Sequence, residues 1–354
     1  VYTVTQVGVY SYSVRVTDVN GCESGMSSST VVVVNDVPVK PVVTVVGGVR
    51  EFCVGSVVVL SAPMSSGYRW YNERGDVVGT GQSYSVTVGG SYHVEVSNGS
   101  GCWSVGSDEV VMVMNTLPVT PVVSGGVSFC VGSSVVLSAP LSGGYRWYRD
   151  GGLVSSAVGQ VYTASVGGVY SVQVSDGKCW SLMSGVFSVT ANVLPQTPVV
   201  SVGVGMSTVF CEGGSVELRS SGVSGNQWYK DNKLIVGGVG DVYVATQTGG
   251  YSVRVTDVNG CVSAMSMQRV VTVNVLPDVA VITSGGGLVF CDGQSVELRS
   301  SGVSGNQWYR DGMKIEGATS GVYVATQTGG YSVRVTDVNG CESGSVTSTV
   351  VANG

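Results

Sequence analysis

Nine cysteines and a single histidine bound the chemistry open to this 354-residue chain. Regularly spaced thiols can oxidise to disulfides. A Ser-His-Asp or Cys-His nucleophile would have to be assembled around His93 alone. The residues matching His93 in other copies of its segment are Ser171, Ser252 and Ser332, so an outward strand position is expected, and no catalytic residue. One imidazole with cysteines at disulfide spacing supplies no zinc site. Asp-Val-Asn-Gly recurs at 18–21, 257–260 and 337–340. It opens like a calcium loop but lacks the later Gly and Glu, and Asn-Gly is itself a strong turn signal. A turn is therefore expected, with Asp257 or Asp337 as the oxygen ligands of any surface calcium and no other cofactor. Trp103 and Trp180 each follow a cysteine. An exposed indole there could stack on a sugar ring or anchor a partner, or else pack on the next domain or over a disulfide. Gly285-Gly286-Gly287 has no helix after it and is not a phosphate loop.

The elements that would position these residues come in copies. A Phe-Cys pair is followed 17 residues later by a Trp and then by a second Cys, four times: Cys53–Trp70–Cys102, Cys130–Trp147–Cys179, Cys211–Trp228–Cys261 and Cys291–Trp308–Cys341. The two cysteines of a copy lie 49 or 50 residues apart, and successive first cysteines 77, 81 and 80 apart. A fixed period of this size denotes an array of small domains. The boundaries fall at 38–118, 119–195, 196–277 and 278–354, preceded by a partial repeat at 1–37 in which Tyr12–Cys22 copies Tyr251–Cys261 and Tyr331–Cys341. The given sequence thus reads as a segment of something longer.

Within the last copy, Ser295-Val-Glu-Leu-Arg-Ser-Ser alternates, placing Val296 and Leu298 on a buried face. Trp308 opens the next strand as the core aromatic, as Trp70, Trp147 and Trp228 do in theirs. Asp311-Gly312 signals a tight hairpin. Tyr331, Val333 and Val335 share a face of a later strand, and residues 346–351 complete about seven short strands, the count of a two-sheet sandwich. The fold class is all-β: a tandem array of immunoglobulin-like sandwiches. The junctions Pro38–Pro41, Pro118–Pro121 and Pro195–Pro198 set two prolines three apart, which stiffens each joint. Domains of roughly 35 Å joined in this way predict an elongated, semi-rigid rod on the order of 150 Å long. Units of about 80 residues have small cores, for which a disulfide is a common supplement.

The net charge is −6 with no basic cluster, which argues against nucleic acid and anionic membrane as partners. Apolar residues alternate with Ser, Thr, Arg and Gly, so no membrane-spanning helix is expected. Paired cysteines in small domains point to an oxidising compartment, hence to a secreted or surface location.

The motifs Phe210–Leu218, with its variant Phe290–Leu298, Gln227–Asp231, Gln307–Asp311, Gly250–Cys261, Gly330–Cys341 and the Asn274-Val-Leu-Pro277 junction resemble one family. It is the bacterial immunoglobulin-like repeat of large surface adhesins and gliding-motility proteins of the Bacteroidota. The resemblance covers essentially the whole chain. It implies export to the cell surface, often by the type IX route, attached to the outer membrane or secreted, and a stalk or adhesive role. The partners implied are neighbouring repeats, surface glycans, other surface proteins or copies of the chain. Alternatives are a self-assembling filament subunit and a carbohydrate-binding accessory region with Trp103 and Trp180 as stacking residues.

Two departures from an ordinary immunoglobulin domain stand out. The second Cys follows the strand Tyr by ten residues at Cys341 instead of two, so a bridge would staple a loop or strand end and not cross the core. Constant spacing within copies favours Cys53–Cys102, Cys130–Cys179, Cys211–Cys261 and Cys291–Cys341, with Cys22 left over. The alternative joins each second Cys to the first Cys of the following copy and leaves Cys341. The other departure is Val on solvent faces, as in Val31–Val34 and Val57–Val59, where these sandwiches usually carry the equally shaped Thr. Copies three and four are near duplicates: 215–229 repeats at 295–309 and 243–261 at 323–341. Duplication of this kind suits length or multivalency better than a single active site, and no enzyme is expected.

Overall fold

The computed structural model describes residues 1–353, so Gly354, the last residue of the fourth repeat, lies outside it. Every regular element among the described residues is a β-strand. Two compact units are present: residues 1–129 with 133–190, and 130–132 with the chain from Ala191 onward.

One repeat serves for all. Its strands are β3 (Thr44–Val45), β4 (Glu51–Cys53), β5 (Val58–Ser61), β6 (Gly67–Tyr71), β7 (Val77–Gly79), β8 (Ser83–Val86), β9 (Gly90–Ser97) and β10 (Val110–Asn115), preceded in the partial repeat by β1 (Gly8–Tyr12) and β2 (Thr30–Val34). A three-stranded sheet of order β3-β5-β8 faces a five-stranded sheet of order β4-β10-β9-β6-β7. Counting β3 and β4 as two halves of a first strand that changes sheets gives seven strands, A, B, C, C′, E, F and G, in the immunoglobulin arrangement. The later repeats have the same two sheets in the same order. The strand β4 runs parallel to β10, pairing Cys53 with Asn115, and Cys211 and Cys291 end their strands in the same way beside Asn274 and Asn353.

The core follows from alternation. Leu60, Trp70, Val86 and Val94 are fully buried between the sheets of the first complete repeat. Trp147, Trp228 and Trp308 hold the same place in theirs, and Val296 and Leu298 are buried as their alternation requires. Burying an indole leaves its N–H needing an acceptor. Each Trp Nε1 donates to a carbonyl 11 or 12 residues on: Gly81, Gly159, Gly240 or Ser320, at 2.8–2.9 Å. A buried Tyr opens each F strand and donates its hydroxyl to the carbonyl four residues earlier, as Tyr92 does to Val88 and Tyr251 to Gln247. This is the tyrosine corner of such sandwiches.

Turns follow their chemistry as well. Asp311 and Gly312 have φ of 51° and 78°, the paired positive values a tight C–C′ hairpin needs. Gly225, at φ +67°, must be glycine for a second reason, since a Cβ there would lie 1.9 Å from the Thr256 carbonyl. Of the valines expected on solvent faces, Val31, Val33 and Val57 are exposed, whereas Val32, Val34 and Val59 are half-buried and Val58 packs against the core, because alternate residues of a strand face opposite ways.

Candidate functional site: disulfides between successive repeats

The sites are built from two strand ends. The first cysteine of a repeat ends the strand beside the last residue of strand G. The second lies in the loop between F and G, before G begins. Strand G runs from Val110 to Asn115, so Cys53 and Cys102 stand at opposite ends of it. Six strand residues span about 20 Å, whereas a disulfide requires Cα atoms within about 7 Å. Within-repeat pairing is therefore excluded by geometry.

The bonds formed are Cys53–Cys179, Cys130–Cys261 and Cys211–Cys341, with Cα separations of 5.8, 5.5 and 5.6 Å. Each joins the first cysteine of one repeat to the F–G loop cysteine of the next. This corrects the pairings expected from spacing (Cys53–Cys102, Cys130–Cys179, Cys211–Cys261, Cys291–Cys341), and it is not the alternative of second Cys to following first Cys either. The free cysteines are Cys22, Cys102 and Cys291, not Cys22 alone. Equal spacing within copies marks the repeat and says nothing of which ends meet. The signal that could have found the pairing was already present: a second Cys displaced past strand F, while the first precedes strand B.

The loop that presents the second cysteine is organised by one side chain. Asp257 Oδ1 accepts the N–H groups of Asn259 and Cys261 at 2.9 and 2.8 Å. Asp337 does the same for Asn339 and Cys341, and Asp176 for Lys178 and Cys179. The N–H of Cys341 holds the Asp337 carboxyl below the usual carboxylate range, and that of Cys179 does the same to Asp176. The role of Asp257 and Asp337 is thus to shape a cysteine-bearing turn, Oδ1 of each accepting two backbone donors. One joint carries an ion pair besides: Lys178 Nζ lies 3.2 Å from Glu51 and holds that carboxyl low. The residues matching Glu51 in the other repeats are Ser128, Val209 and Val289, and the matches of Lys178 are glycines.

Cys102 occupies the same loop position against the partial repeat. Its Sγ is 4.0 Å from the Asn35 carbonyl, as that of Cys179 is from Asn115. Asn98 Nδ2 donates to the Asp36 carbonyl at 2.6 Å. Residues 1–37 contain no cysteine of the first kind to bond it.

Trp103 and Trp180 hold equivalent places in their two repeats. Each lies on the outer face of its own five-stranded sheet, with the guanidinium of Arg69 or Arg146 3.9 Å from the ring centroid. Trp180 also borders a groove lined by Leu153, Val154 and Ala157. The two arginines were not legible as partners, because the pairing depends on strand register. His93 stacks on Tyr71 at 5.0 Å, at an outward strand position. No helix of the described residues is long and apolar enough to cross a membrane.

No protein-family model matches the chain, and no curated protein matches it. Two solved structures similar to it are a Ca2+-stabilized adhesin that helps an Antarctic bacterium reach out and bind ice, and immunoglobulin domains 1–4 of Sidekick-1. The first is 12% identical over 89% of this chain and 99% of that one, with a TM-score of 0.36. The second is 12% identical over 86% and 96%, with a TM-score of 0.23. Neither likeness bears on what this chain binds.

Proposed function

We propose that this chain is a structural and adhesive repeat region of an extracellular bacterial surface protein, a stalk of the Bacteroidota immunoglobulin-like type and not an enzyme. The observation that carries the reading is the overlap of its disulfides. Cys130 lies before Cys179 and Cys211 before Cys261, so each bond is laced through the next. The backbone from Cys53 to Cys341 is 288 residues (341 − 53), yet the shortest covalent path between them crosses two disulfides and only the 32 residues from Cys179 to Cys211 (211 − 179). A chain laced in this way limits extension even after its sandwiches unfold, which suits a tether under pull. Three disulfides also suit an oxidising, extracytoplasmic setting. Neighbouring repeats are the first partners, and surface ligands would be met by repetition and avidity.

Single-molecule pulling between positions 53 and 341 tests it. At about 3.4 Å per extended residue, the laced chain yields roughly 110 Å and the fully reduced chain roughly 980 Å. Within-repeat disulfides would leave the junctions of 28, 32 and 30 residues free, or roughly 300 Å. An oxidised contour length near that last value would sink the reading.

A further inference from the structure

Beside Trp180 the repeat at 119–195 has a groove of about 390 Å³, walled by the indole and by the exposed apolar side chains of Leu153 and Val158. That volume falls among those of small-molecule sites, roughly 300–1,000 Å³. The groove follows from one residue. In the repeats at 196–277 and 278–353 the matching position on strand C is Gln227 or Gln307. Its Nε2 donates to the Ile235 or Ile315 carbonyl at 2.8 Å and closes the strand over the loop after C′. Arg146 turns to Trp180 instead, and the corresponding loop residues Val154 and Ala157 line open space. Its guanidinium is also left without a counterion. Gln173, opposite it on strand F, is neutral and already engaged, accepting from the Tyr148 hydroxyl at 2.7 Å and donating to the Ser181 carbonyl at 2.8 Å. Among the described residues nothing accepts a hydrogen bond from Arg146. The other arginines differ. Arg69, beside Trp103, lies opposite the Glu95 carboxylate, and Arg334 and Arg15 pair with Glu342 and Glu23. Arg254 forms no ion pair among the described residues either, but Val262 stands where the indole would be.

We infer that the Trp180 groove binds an acidic sugar, a hexuronic acid unit of a surface polysaccharide. A pyranose has an apolar C–H face and a polar rim, which matches an indole wall set beside one cation. The C–H face packs on Trp180 and Leu153. The carboxylate, carried on the rim, takes two N–H donors of Arg146, the bidentate geometry that a guanidinium offers a carboxylate. It supplies the negative charge that Glu95 already supplies to Arg69, so the matching pair in the repeat at 38–118 does not bind the sugar. One ring in an open groove binds weakly, with a Kd of about 1 mM. Retention of a polymer then comes from many such contacts at once. The site gives the adhesive role proposed above its ligand class and rests on that reading.

Titration of the intact oxidised chain, followed by NMR at the indole N–H signals, tests the site. The probes are the methyl glycosides of glucuronic, galacturonic and mannuronic acid, each beside its neutral hexose, with acetate as the bare anion. At least one uronate should move the Trp180 signal with a Kd of about 1 mM and leave Trp103 in place. Its hexose and acetate should each bind at least about tenfold more weakly. Arg146→Gln, the arrangement of the later repeats, should abolish the shift. Gln173→Glu copies the neighbouring repeat, where Glu95 accepts the Tyr71 hydroxyl at 3.0 Å. It should weaken the uronate about tenfold and leave the hexose unchanged. A Trp180 signal silent to all three uronates overturns the inference. So does an equal response to hexose or acetate, an equal response at Trp103, or a Gln173→Glu variant that binds the uronate as before. If the chain then retains other glycans on an array, the adhesive role stands and only this site is lost; if it retains none, adhesion to glycans is lost with it. The laced tether is judged apart from both, by contour length.

Discussion

In the repeats at 38–118 and 119–195 the outer sheet face carries its arginine on strand C, as Arg69 and Arg146, opposite Glu95 and Gln173 on strand F. In the repeats at 196–277 and 278–353 the arrangement is reversed: Gln227 and Gln307 lie on C, opposite Arg254 and Arg334 on F. The residue after the loop cysteine changes in step. Trp103 and Trp180 cover the C-strand arginines, whereas Glu342 pairs with Arg334 at 3.3 Å and Glu23 with Arg15 in the partial repeat; the repeat at 196–277 has Val262 at that place, and its Arg254 lies 6.0 Å from the Tyr229 ring centroid. The place two residues before the core Trp differs too. The Tyr145 hydroxyl accepts the Ser142 N–H at 2.6 Å, while Asn226 Nδ2 donates to the Gly222 carbonyl at 2.8 Å. Beneath these exchanges the Trp, the tyrosine corner and the cysteine positions are unchanged. The same frame thus carries either arrangement on one strand pair.

The largest effect should be the same in both kinds of repeat. Trp147→Ala and Trp228→Ala each empty a fully buried site and should cost about 3–5 kcal/mol. Hydrogen exchange of the F-strand amides in the altered repeat measures each cost. A difference between the two beyond about 1.5 kcal/mol would break the claim of a common core.

The next effect should divide the two kinds. A double-mutant cycle on Arg146 and Trp180 should return a coupling of about 1 kcal/mol that persists in 1 M salt, as expected of a cation held over an aromatic face. The exposed Arg334–Glu342 pair should return at most about 0.5 kcal/mol, and salt should remove it. Equal salt sensitivity would show that the two surfaces are not different solutions.

The smallest effect concerns the loops. The folded carboxyls of Asp176, Asp337 and Glu51 are held below their ordinary values. Their contribution is therefore full above the unfolded-state pKa and is lost as the pH falls through the lower folded-state value. Reduction of Cys211–Cys341 by a phosphine should accelerate only below the ordinary carboxylate range, and Asp337→Asn should flatten that dependence. An unchanged acid dependence in the variant would remove Asp337 from the account.

Much of the frame was legible in the chain. The 17-residue Cys-to-Trp interval located four core indoles, and alternation around Val296 and Leu298 placed the buried face, because both depend on local strand geometry. The Asp-Gly hairpin at 311–312 was legible for the same reason. What could not be read were facts of long range. Arg69 meets Trp103 only because register sets strand C beside F and the loop folds back over both. Cys53 meets Cys179 only because one end of a sandwich faces the F–G loop of the next, 126 residues away in sequence. Equal spacing within each copy pointed the other way, since a duplicated unit keeps its internal intervals whichever partners its cysteines take.

The central claim is that these repeats are laced to one another and not closed on themselves. Disulfide mapping of the oxidised chain, digested without reductant and read by mass spectrometry, tests it most directly. The account predicts linked peptides for Cys53–Cys179, Cys130–Cys261 and Cys211–Cys341. Recovery of Cys53–Cys102, Cys130–Cys179 and Cys211–Cys261 in their place would contradict it.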